Sequence, residues 1–152
     1  MKKLIFLLGI SFITLLNSCS SVYSEHQEIK DLKWFKKDIK TFEVEISEAG
    51  EYDLFFTMRH SIGYHFTSIK INIEYEQNNN QTFVKEAEFP ITDENGEYIG
   101  EVTGQLWDIE SVFAEKMFLN KGKHIFKISH AMNSNPVVLV VDIGLIVKKS
   151  SK

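Results

Sequence analysis

The sequence predicts an all-β fold, an antiparallel β-sandwich of jelly-roll type with about seven or eight strands. Three observations predict it. Runs in which apolar and polar residues alternate recur at 41–47, 52–58 and 68–76, the two-residue period of a strand with one face in a core. After residue 19 no stretch holds the 3.6-residue apolar period of an amphipathic helix over three turns. The chain past that point has no disulfide framework and is still long enough to bury about two thirds of its unfolded surface.

The N-terminus is an address. Met1, Lys2 and Lys3 precede a mostly apolar run of 13 residues from Leu4 to Leu16. As a helix it would reach about 20 Å, short of the ~30 Å hydrocarbon core of a bilayer. It reads as the apolar region of a signal peptide covering residues 1–18. Leu16-Asn17-Ser18-Cys19 matches a bacterial lipobox, whose thiol forms a thioether with diacylglycerol, and the single Cys of the chain stands at the end of the apolar run. The alternative is an ordinary secretory signal with a chance cysteine. Cys19 is therefore the expected site of lipid attachment, with acyl chains such as palmitate holding the protein durably. Ser20, in place of an Asp that would favour inner-membrane retention, points to the outer membrane. The absence of an acid from Ser20 to Ser24 points to a periplasm-facing anchor. Removal of residues 1–18 leaves 134 residues, and the loss of Lys2 and Lys3 lowers the net charge from −4 to −6. That balance gives no reason to expect nucleic-acid binding.

Residues 19–33 are polar and aperiodic and read as a lipidated tether, followed by a single domain over 34–149. Trp34 is expected to plug the edge of the core where tether meets domain. Phe42, Val44 and Ile46 form one face of the first run, Glu48 to Glu51 a turn, and Tyr52, Leu54, Phe56 and Met58 the face of the next. Ile69, Ile71, Ile73 and Tyr75 repeat the pattern, 77–81 is a polar loop tip, and 81–90 is a weaker strand ended by Pro90. The stretch 92–104 reads as turns with a short strand around Tyr98, and 105–117 is the least regular part. Strands at 111–119 and 124–132 bracket Asn120-Lys121-Gly122-Lys123, a hairpin-like connection. The β-branched run 137–148 is a central strand, interrupted at Asp142 and Gly144 by a bulge or an end-of-sheet position.

Chemistry-bearing motifs are sparse. Five histidines, His26, His60, His65, His124 and His130, have no metal-site spacing, and no second Cys is present. No metal and no cofactor are expected. No nucleophile elbow and no phosphate-cradling glycine loop occurs, so no catalytic residue is assigned and the protein is read as no enzyme. Glu101, Asp108 and Glu110 cluster about Trp107, and acids beside an aromatic can line a sugar site. Arg59 is the one arginine beside sixteen lysines, and its planar fork can pair bidentately or stack where a lysine cannot. Arg59, Tyr64, Tyr98 and Trp107 are the candidate partner-binding residues.

From Cys19 onward the chain resembles the gliding-motility lipoprotein H family, GldH. The resemblance runs over about residues 19–149, through Val22-Tyr23, Trp34 with Lys36-Lys37-Asp38, Met58-Arg59-His60 and Tyr64-His65-Phe66. It continues with Gly96-Glu97-Tyr98-Ile99-Gly100, Gly122-Lys123-His124-Ile125-Phe126, His130-Ala131-Met132 and Val141-Asp142-Ile143-Gly144-Leu145. Asn133 departs from the Arg usual after the late Met, and Tyr64-His65 replaces a more usual Tyr-Pro. The resemblance implies an outer-membrane lipoprotein of the gliding apparatus, linked to type IX secretion, with no reaction and no cofactor. Its implied partners are other envelope gliding or secretion lipoproteins, and the membrane through the Cys19 lipid. A lipid-anchored carbohydrate-binding sandwich module is the alternative, favoured if Trp107 is exposed beside Tyr98 on a concave face.

Overall fold

The computed structural model describes residues 21–77 and 80–151; Cys19 and the signal peptide lie outside them. Eleven strands run in order: β1 Ser21–Glu28, β2 Lys33–Trp34, β3 Lys40–Ile46, β4 Gly50–Ser61, β5 Ser68–Gln77, β6 Asn80–Pro90, β7 Glu101–Thr103, β8 Leu106–Leu119, β9 Gly122–His130, β10 Val137–Val138 and β11 Val140–Lys149. A five-stranded sheet has the order β1-β11-β4-β8-β7, a four-stranded sheet the order β3-β9-β5-β6, and β10 pairs with β2. All of these pairings are antiparallel. The first strand lies beside the last, and the remaining long strands are shared between two sheets, which is jelly-roll pairing.

The alternation predicted for β3, β4 and β5 is realised. Phe42, Val44 and Ile46 meet Tyr52, Leu54, Phe56 and Met58 and Ile69, Ile71 and Ile73 in one core, all of them buried. Trp34 is fully buried as well, and its indole N–H donates to the Asp38 carbonyl at 2.9 Å.

The structure changes four expectations. Eight strands have seven residues or more, and three of two or three residues raise the total to eleven. Most of the expected tether, Ser21–Glu28, is the strand β1, paired with β11 from Ser21↔Lys148 to Glu28↔Asp142. As an edge strand it buries, from Val22 to Glu28, only parts of Tyr23 and Gln27, too little to leave an apolar period. Around Tyr98 there is a single bridge, Thr92↔Tyr98, and the short strand is β7. Asn120-Lys121 joins β8 of one sheet to β9 of the other, so it is an arch between layers. A polar turn looks the same in either role.

The run 137–148 is divided at Leu139, whose φ of 65° turns the chain out of β10 and into β11. β11 is central, between β1 and β4, and its ladder with β4 slips between Val140 and Asp142. Val141 bulges there, and its carbonyl accepts the Ile29 N–H at 2.8 Å.

Candidate functional site

Antiparallel pairing of β4 with β8 sets Arg59 opposite Asp108 and His60 opposite Trp107. Since neighbouring side chains on a strand point to opposite faces, these two rungs build two different environments.

On the outer face Arg59 donates from Nε to Asp108 Oδ1 at 2.6 Å and from Nη2 to Asp108 Oδ2 at 2.9 Å. This is the bidentate pairing that a guanidinium allows and an ammonium does not. It raises the Arg59 pKa further above its already high value. Asp142, Arg59's register partner on β11, brings Oδ2 to 3.8 Å from Nη1. The other carboxylate oxygen of Asp142 lies 3.4 Å from Nδ1 of His26, and that nitrogen lies 3.3 Å from the Thr57 hydroxyl. Beneath them Gly144 has no room for a side chain: a Cβ there would meet Thr57 Oγ1, the Glu25 carbonyl and His26 Nδ1. His26, Thr57, Arg59, Asp108 and Asp142, with Gly100, Glu101 and Glu110, line a groove of about 580 Å³. Lys148 answers Glu110 at 2.6 Å, but Glu101, Asp108 and Asp142 outnumber Arg59, so the groove suits a basic or donor-rich group.

On the inner face His60 is fully buried among rings. Its centroid is 5.1 Å from Tyr64, 4.9 Å from Tyr98 and 6.2 Å from Trp107. The Tyr98 hydroxyl accepts from the Gly63 N–H at 3.1 Å and donates to the Tyr64 carbonyl at 2.8 Å, which ties down the 62–67 connection. His60 Nε2 and the Tyr64 hydroxyl are buried without a hydrogen-bond partner among the described residues. Burial lowers the His60 pKa and raises that of Tyr64.

The four candidate residues are thus divided. Tyr64, Tyr98 and Trp107 come together, and Arg59 stands on the other side of the sheet. Tyr64 is 4% exposed, so it has no surface for a partner, and its role is to pack His60. Tyr98 and Trp107 are half-buried against the same ring. Glu101, Asp108 and Glu110 do gather at the groove, but Trp107 faces away from it. The groove therefore lacks the aromatic platform that the sugar-site reading needs. Sequence reasoning did not assign His26, Thr57 or Asp142 to the site; the signal was Arg59 itself, a solitary fork that needs carboxylates.

His60, His124 and His130 are all buried. His124 is satisfied: Nε2–H donates to the Asn120 carbonyl at 2.7 Å, and the Tyr75 hydroxyl is 2.8 Å from Nδ1. His130 packs edge-on against Trp34 and neither of its ring nitrogens makes a hydrogen bond of good geometry among the described residues. Burial, then the Lys36 charge, lowers its pKa, and the Trp34 backbone and Asn135 nearby offset part of this.

A family model described as GldH lipoprotein matches residues 21–147, from the first described residue to all but the last four. The chain belongs to the GldH lipoprotein family. A curated relative, the gliding motility lipoprotein GldH homolog of Christiangramia forsetii, is 27% identical over 149 residues, covering 91% of each chain. Among solved structures, Eiger TNF from S. frugiperda aligns over 88% of this chain and 96% of its own, with a TM-score of 0.37 and 7% identity. Dimeric latent PorU from Porphyromonas gingivalis aligns over 88% of this chain and 13% of its own, with a TM-score of 0.36 and 11% identity. GldH membership thus rests on the family and relative matches, and it spans both faces of the β4–β8 pair.

Proposed function

We propose that this chain is an outer-membrane-anchored lipoprotein, held on the periplasmic side through Cys19, that acts without catalysis in a gliding-motility or type IX secretion apparatus. The carrying observation is the family match over residues 21–147, directly after a lipobox ending at Cys19. The curated relative's own name ties the family to gliding motility. A non-catalytic role agrees with membership of a lipoprotein family rather than an enzyme family. An anchor confines the sandwich to the membrane surface, where its effective concentration toward other envelope proteins is high.

The partner-binding residues are those around the groove, with Arg59 at the centre. Asp108 already holds Arg59 in a fixed orientation, so little ordering cost falls on association. A basic or donor-rich segment of another envelope protein is the group that the surplus acids recognise.

Crosslinking the tagged protein in its native host, followed by purification from the outer-membrane fraction, tests this reading. Recovery of gliding or secretion lipoproteins is the expected result, and recovery of glycan or nutrient-uptake proteins alone overturns it. Cys19→Ala should move the protein out of the membrane fraction; full retention there contradicts the anchor.

A further inference from the structure

The position of β1 dictates which end of the sandwich meets the lipid. β1 starts at Ser21, opposite Lys148 on the last strand, and one residue, Ser20, stands between it and Cys19. Two residue steps span at most about 7 Å. On the anchored reading above, on which this inference rests, the acyl chains leave too little slack for the domain to turn over. The end bearing Ser21 must lie at the headgroups.

That end carries the apolar groups such contact requires. Lys148 pairs with Asp53 and Lys149 with Tyr52, and two rungs past Asp53 Glu51 pairs with Phe118, so Phe118 belongs to the same end of the sheet. At 63% exposure Phe118 is the most exposed large apolar side chain among the described residues, and Val22, next to Ser21, is 42% exposed. The charges there are of both signs, and two of the lysines are paired with acids: Lys149 with Glu48 at 2.8 Å, and Lys123 with Glu43 at 2.7 Å. Attraction to anionic headgroups is therefore not the driving term. Apolar contact is, while the lysine stems reach past it to keep their ammonium groups in water.

We propose that Phe118 and Val22 rest on the lipid surface and hold the sandwich upright. Arg59 lies six residues beyond Asp53 on β4, which stands the groove off from that end by about 20 Å. Trp107 is level with His60, one rung further still. Trp34 contacts His130, at the far end of β9 from the Gly122 that pairs with Ile46. Both native tryptophans are thus remote from the bilayer.

The test is fluorescence of the lipidated protein in phosphatidylcholine vesicles whose acyl chains are brominated, compared with unbrominated ones. The native protein should keep its emission, while F118W, a change at an exposed position, should lose the share contributed by the added tryptophan. If the protein stays with the vesicles but F118W is unquenched, or the native tryptophans are quenched, the orientation is wrong and the anchor stands. If the native protein does not float with vesicles at all, the anchor fails and takes the orientation with it.

Discussion

Arg59 and His60 are consecutive residues on one strand, and the two sides of the sheet on which they lie work by different physics. On the Arg59 side a charge is neutralised by geometry: two short hydrogen bonds to Asp108, a second carboxylate on the neighbouring strand, and water in reach of all three. On the His60 side a polar ring is neutralised by removing its proton, because burial among Tyr64, Tyr98 and Trp107 disfavours the imidazolium. The difference teaches where to look for recognition and where for stability. Open, paired charges cost little to keep and can be re-paired with a partner. Closed rings hold the fold, and among them only the half-buried Tyr98 and Trp107 keep open surface.

The widest separation of the two sides is expected from Trp107→Ala. Loss of the indole against His60 and Tyr98 should cost about 3 kcal/mol in urea unfolding, with partner recovery preserved wherever the protein is folded. A loss below about 1 kcal/mol would mean that the inner rings are not structural. Gly144→Ala is the substitution that cuts across the division. It lies under the groove, yet the added methyl has no space between Thr57, Glu25 and His26. A cost of about 2 kcal/mol is expected, and a neutral result would show that the strands spread easily there.

Acid sharpens the contrast further. The folded-state pKa values of His60 and His130 lie below the ordinary histidine value, so above about pH 6.5 both states are neutral and nothing is lost. As pH falls below that, the unfolded chain takes up protons that the folded chain refuses. Stability then declines by up to about 1.4 kcal/mol per pH unit for each such histidine, until the folded-state pKa is passed. Melting temperatures from pH 7.5 to 5 should show the decline, and H60Q/H130Q should flatten it. An unchanged slope in that variant would assign the acid sensitivity to the carboxylates. The smallest thermodynamic effect belongs to Arg59→Lys. Arg59 and Asp108 are 41% and 36% exposed, so solvent screening keeps the stability change below about 1 kcal/mol, while loss of the fork should reduce recovery of crosslinked partners. Equal recovery and an equal melting temperature would remove Arg59 from the interface.

What the sequence made legible follows the same physics. β3, β4 and β5 announce themselves because each has one face in the core, and Phe42, Leu54 or Ile71 alternates with polar neighbours. β1 is silent because an edge strand buries little. β8 is obscured because register shifts opposite Tyr52, Leu54 and Phe55, together with a φ of 49° at Lys116, break its period. The corner at Leu139 is silent too, since nothing in a β-branched run marks the residue that leaves one sheet for another. At the site, Arg59 could be singled out by its rarity. Its partner could not, because Asp108 lies 49 residues away, and only the β4–β8 register brings the two together.

The first strand also decides how the molecule carries force. With Cys19 lipidated as proposed, a pull on it would enter at Ser21 and run along β1, and a partner held at the Arg59 groove would take it up near the opposite end of β4. Between them stands the β1–β11 ladder, from Ser21↔Lys148 to Glu28↔Asp142, with its hydrogen bonds across the line of tension. Loaded in this direction the rungs share the stress and must slide together, instead of opening one after another like a zipper. On the proposed anchored reading, the sandwich would act as a tensile link loaded across these rungs.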